Sequence, residues 1–137
     1  MASHSNDREI VAYALGTGRD QKGTAWLLDH LSDPRLSPLD RWHVLYGLTE
    51  DPGSRMTALP WTAAHLDLLN GVGWNTVIGL ADKACSATDA SLWANAVRPH
   101  IAGNGNAALV LRVTQGKIIN CAALRDRRGR DIAASLG

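Results

Sequence analysis

Two cysteines, five histidines and a cluster of arginines are the residues whose chemistry in this 137-residue chain reaches beyond packing. A cysteine becomes a nucleophile when a neighbouring base or a positive field lowers its pKa. Cys121, beside Asn120 and just before the arginine cluster, is the better placed of the two, with His43, His65 or His100 as bases the fold would have to bring to it. Against this stands the common reading of Cys85 and Cys121 as free, buried thiols. They lie far apart with no Cys-x-x-Cys pair, which points neither to a disulfide framework nor to a zinc site.

Metal binding has little to build on. His4, His30, His43, His65 and His100 are scattered, and no His-x-x-x-His pair sets two imidazoles on one helical face. Asp40 and His43 share a face at a spacing that suits a surface hydrogen bond, whereas His65 and Asp67 do not share one. Gly18-Arg19-Asp20-Gln21-Lys22-Gly23-Thr24 has the glycines of a phosphate loop, but its lysine precedes the second glycine and no strand leads into it. Gly71-Val72-Gly73 fails for the same lack of context. No metal, cofactor or catalytic residue is assigned, and whether the chain is an enzyme stays open.

The feature that rises above background is Leu124-Arg125-Asp126-Arg127-Arg128-Gly129-Arg130-Asp131, whose guanidiniums can grip carboxylates or phosphates in bidentate fashion. Counted by segment, residues 1–111 carry net −3 and residues 112–137 carry net +4. The expected partner-binding set is Arg112, Lys117, Arg125, Arg127, Arg128 and Arg130. The two aspartates, the absence of interleaved aromatics and the acidic remainder all weigh against a nucleic-acid surface. The favoured reading is a small non-enzymatic interaction or assembly module that contacts a protein partner or a second copy. Phosphate contacts to nucleic acid through Arg125–Arg130 are the first alternative, and a small enzyme using Cys121 or a histidine is the second.

These residues need a scaffold, and the composition allows one core: 45% hydrophobic and 20% charged residues are ordinary for a globular domain. Such a core requires no metal or disulfide to fold. No apolar run approaches about 20 residues and the start of the chain is polar, so neither membrane contact nor secretion is expected, and a cytoplasmic location is.

Capping and periodicity predict about six short helices in a compact, mainly α bundle over residues 1–102, as part of a single domain. The first is Asp7–Leu15, capped by Asn6 with Glu9. A loop over Gly16–Gly23 leads to a second around Ala25–Leu31, stopped by Pro34. Ser37-Pro38 with Asp40 marks the third, whose stripe Leu39, Trp42, Leu45, Tyr46 and Thr49 leaves Arg41 toward solvent. Asp51-Pro52-Gly53-Ser54 reads as a break, followed by helices at Pro60–Leu69, Thr76–Ala84 and, after Ser86, one burying Ala90, Trp93, Ala94 and Val97 up to Pro99.

After Gly103-Asn104-Gly105-Asn106 the β-branched residues around Gln115-Gly116 predict a C-terminal β-hairpin, although Ala107–Val113 also suits a helix. Phenylalanine is absent, so tryptophan must supply the aromatic volume. Trp26, Trp42 and Trp93 are expected in the core, and Trp61 and Trp74 are expected as partly exposed contact residues. The uneven tryptophan spacing argues against a repeat.

Overall fold

The computed structural model describes residues 20–136. The expected helix over Asp7–Leu15 lies outside them. Six α-helices and three 3-10 turns make up the described chain, which contains no strand.

α1 (Gln21–His30) starts on Asp20, whose carboxylate accepts the Gly23 N–H. The expected loop therefore ends at Asp20, and Gln21, Lys22, Gly23 and Thr24 are helical. That removes the phosphate-loop geometry. α2 (Pro38–Glu50) starts at the expected Ser37 cap, and the contact is a full capping box, with Ser37 Oγ accepting from the Asp40 N–H and the Asp40 carboxylate accepting from the Ser37 N–H. The predicted break at Asp51-Pro52-Gly53-Ser54 is instead the start of α3 (Pro52–Ala64): Asp51 caps the Ser54 N–H and Pro52 fills the first turn, where its missing N–H costs nothing. Pro60 sits inside this helix, not at its start. The carbonyl deprived of its helical N–H belongs to Met56, a residue on the exposed side of the helix (81% exposed).

A 3-10 turn (Leu66–Leu69) leads to α4 (Trp74–Ile78), which tightens into a second (Gly79–Ala81). α5 (Ala87–Val97) matches its expectation closely, with Ser86 capping Asp89 and Ala90, Trp93, Ala94 and Val97 all buried. The third 3-10 turn (Arg98–His100) precedes Gly103, whose φ of +81° is one that glycine adopts without strain.

The C-terminal hairpin is not formed. Gly105–Leu136 is one helix, α6, with Asn104 Oδ1 accepting the Ala107 N–H at its start. Ala107, Leu111, Thr114, Ile118 and Ala122 recur at three and four residues and are the buried positions of α6. That stripe has the helical period of 3.6 and satisfies the core in a way alternation could not, so β-branched content lost to burial pattern.

α3 lies at the centre, packed on α1 and α2 and on α5, and α6 packs against α5, α4 and the Gly79–Ala81 turn. Leu27, Leu31, Leu45, Leu59, Leu69, Ile78, Trp93 and Ile118 fill the core. Of the aromatics expected there, Trp93 is fully buried, Trp42 is half-buried and Trp26 is 41% exposed.

Arg41, expected toward solvent, is buried. Its Nε donates to the Leu31 carbonyl (2.7 Å), Nη1 to Leu68 (3.1 Å) and Nη2 to Asp33 (3.0 Å). The Leu31 carbonyl lies at the end of α1, the Leu68 carbonyl in the Leu66–Leu69 turn, and the Asp33 carbonyl, which also accepts the Leu36 N–H, between α1 and α2, so one planar cation joins three segments. Leu39 and Tyr46 of the predicted stripe are exposed, because α2 faces the core with Arg41, Val44, Leu45, Leu48 and Thr49.

Arg41→Met should lower stability by about 2–4 kcal/mol, since it strands buried carbonyls, whereas Leu39→Gln should change it by under about 0.5 kcal/mol. Urea unfolding measures both, and equal effects would show that the guanidinium does not hold the segments. Nearby, Arg35 donates to Asp33 from its side chain and then from its backbone N–H, which holds the Asp33 carboxyl down at about 2. A lowered folded-state pKa means that stabilisation from this contact is complete above about pH 4 and lost as pH falls through about 2. A carbon-detected NMR titration should find the Asp33 midpoint near 2, returning toward about 4 in Arg35→Gln.

Candidate functional site

All six residues of the expected partner-binding set lie on α6, but their relation to the body differs along the helix. The seat of α6 explains the difference. On its buried stripe, Thr114 Oγ1 donates to Asp82 Oδ1 (3.4 Å), and Lys117 Nζ lies 3.9 Å from the same oxygen. Both members of the lysine pair are solvated, so the ion pair contributes little energy. Lys117 thus faces the body and is less available to a partner.

One turn later Cys121 is joined to Cys85, with 5.0 Å between their Cα atoms. No cysteine is free among the described residues. The expectation of two buried thiols is overturned, and with it the nucleophilic reading of Cys121: Cys121 is exposed and its sulfur is committed to a bond. The pair escaped sequence reasoning because 36 residues separate its members, and only the packing of α6 beside the start of α5 brings them together.

Beyond the disulfide the helix outruns the domain. Ala122 is the last buried residue, and residues 123–136 are all exposed. At 1.5 Å per residue this arm extends about 20 Å. It carries Arg125, Arg127, Arg128 and Arg130. Arg125 stands at its base, with Nη2 3.6 Å from Asp126, and borders a cavity of about 370 Å³ that also touches Cys85, Arg55 and Asp89. Arg127, Arg128 and Arg130 meet no carboxylate among the described residues. Arg112 lies at the other end of α6, bordering a larger cavity of about 590 Å³.

α6 is also long enough to cross a bilayer, and over its most apolar eighteen residues the mean hydropathy reaches 1.2. Its buried stripe of Ala107, Leu111, Ile118 and Ala122 accounts for part of that apolarity, and Arg112 and Lys117 interrupt it.

The histidines assemble no metal site: no group of three potential ligands occurs among the described residues. The four described histidines each lie against a tryptophan ring, two of them stacked. His30 lies on Trp26 (3.9 Å between centroids) and His65 on Trp61 (4.0 Å), each Nδ1 donating to the carbonyl of that same tryptophan (2.7 Å). The repeated Trp-x-x-x-His spacing was the signal for this. His43 meets Trp42 edge-on, and His100 lies 5.0 Å from Trp74. Trp61 and Trp74 are both half-buried, and His65 is stacked on the Trp61 ring while His100 is tilted against that of Trp74. The Asp40 carboxylate serves the α2 cap.

The chain matches no family model, no curated protein and no solved structure.

The disulfide closes a loop long enough that cross-link entropy is worth about 3–4 kcal/mol. Cys85→Ser/Cys121→Ser should therefore unfold at lower urea, with an unfolding free energy reduced by about 3–4 kcal/mol. Amide exchange should quicken from about Ile118 onward more than in α3. Uniform quickening would mean that the bond stabilises the whole domain without specifically seating the arm.

Proposed function

We propose that this chain is a non-enzymatic assembly module that joins a second copy of itself through the arm of α6. The observation that supports it is a helix continued for fourteen exposed residues. An isolated helix of that length is marginal in water, and Gly129 lowers its propensity further. A packed partner would supply what the domain does not.

The arm has a face to offer. Arg125, Gly129, Ile132 and Leu136 extend the line of Ile118 and Ala122 at alternating spacings of three and four, the seam of a helix pair. Ile132 and Leu136 on it are 59% and 83% exposed. Run antiparallel, with Gly129 opposite Ile132 of the second copy, two arms place Arg130 beside Asp131 of the other chain, and symmetry repeats the pair. The small glycine would receive the larger isoleucine. The overlap spans about twelve residues, roughly 18 Å, so the association is weak and concentration-dependent.

Phosphate binding along the arm has less support. Successive residues are turned by about 100°, so the arginines ring the helix, and Asp126 and Asp131 interrupt their field.

Sedimentation velocity over a concentration series should show dimer growing for the full chain and monomer alone after deletion of residues 123–137. Arg130→Asp and Asp131→Arg should each abolish the dimer by placing like charges together, and mixing the two variants should restore it. A full chain that stays monomeric, or a mixture that does not re-form the dimer, overturns the reading.

A further inference from the structure

The larger cavity lies at the opposite end of α6 from the arm, and its chemistry is of a different kind. It forms where Gly103 turns the chain out of the Arg98–His100 turn and into α6. On the helix side, Gly105, Ala108, Arg112 and Gln115 follow one another at three, four and three residues and so share a face. The small residues at the start of that face leave space, and a Cβ added to Gly103 or Gly105 would meet no atom within 4 Å. Ile101 and Leu111, 5% and 3% exposed, give the concavity an apolar floor.

Two guanidiniums stand on this floor's border with no carboxylate among the lining residues. Arg98 Nη1 donates to the neutral Asn95 Oδ1 (3.0 Å), and the Arg112 side chain has no hydrogen bond or ion pair to any described residue. The first turn of α6 adds the positive end of a 32-residue helix. Only the Ala107 N–H there is taken up by the Asn104 side chain. A volume of about 590 Å³ is that of a small-molecule site.

We infer that the cavity between the Arg98–His100 turn and the first three turns of α6 binds a small organic carboxylate with an apolar body. Arg98 and Arg112 hold the carboxylate, which sits against the N-terminal end of α6, and Ile101, Ala108 and Leu111 take the hydrocarbon. An inorganic anion would leave the floor wet, and a neutral amphiphile would leave both cations unpaired, so the ligand needs both parts. This site is independent of self-association through the arm.

Octanoate is the probe, with octanamide and acetate as controls, followed by ¹H–¹⁵N NMR on the full, disulfide-bonded chain. Octanoate should shift amides of residues 98–115 in a saturable manner, and each control should bind at least about tenfold more weakly. Arg98→Gln and Arg112→Gln should each weaken octanoate by about tenfold, and salt should weaken it in the wild type. Ala108→Trp should block the cavity without touching either charge, its fold being checked by thermal unfolding. Equal binding of octanoate and octanamide, shifts confined to other residues, or full affinity in both arginine variants would each overturn the inference.

Discussion

The disulfide between Cys85 and Cys121 is the last hold that the body has on α6. Upstream of it the helix is seated by packing: Ala107, Leu111, Thr114 and Ile118 face α5 and α4, and Asp82 takes a hydrogen bond from Thr114. Downstream only Ala122 is still buried. A hydrophobic stripe holds a helix only as far as there is a surface opposite it, so α6 needs a fixed point near the edge of the body if its remainder is to point in one direction. Cys85, immediately before the cap of α5, supplies that point. The position of every arginine beyond residue 122 follows from where this bond sets the helix axis.

Arg41 plays a comparable part at the other side of the domain. Short helices multiply unserved carbonyls, because each C-terminus leaves several without an internal partner. A mostly helical chain joined by tight turns must satisfy them or leave them wet. One guanidinium serving Leu31, Asp33 and Leu68 meets that need and fixes the angle between α1, α2 and the turn after α3. Packing of α3 against both α2 and α5 then carries the constraint across to the seat of α6.

What was legible in the residues is local, and what was hidden is mostly long-range. Ser37 with Asp40 and Ser86 with Asp89 declared their helices because a cap is a contact between neighbours, and the buried face of α5 followed from its spacing. Asp51-Pro52-Gly53-Ser54 holds the residues of a turn and of a helix start at once, and the choice between them depended on Leu59 and Ala58 finding a core. The same holds for residues 107–122, where β-branched side chains suggested strands and a 3.6-residue stripe required a helix. Arg41 could not be recognised as buried, because its three acceptors lie 8, 10 and 27 residues away. Nor could Cys85 be paired with Cys121 without knowing that α6 returns along α5.

Replacing the hairpin by a helix also changes what the basic end of the chain can do. In a tight turn the four arginines between 125 and 130 would crowd one point and form a clamp for a single anion. On α6 they rise about 1.5 Å and turn about 100° with each residue, so their field is spread around a rod and partly cancelled by Asp126 and Asp131. A rod with alternating charges and a narrow apolar line is better matched to another helix than to a phosphate. At the far end of the helix Arg112 and Arg98 instead border one cavity that has no acid among its lining residues. The charge asymmetry of the sequence therefore belongs to one helix with two chemically distinct ends, and the body between them keeps those ends apart.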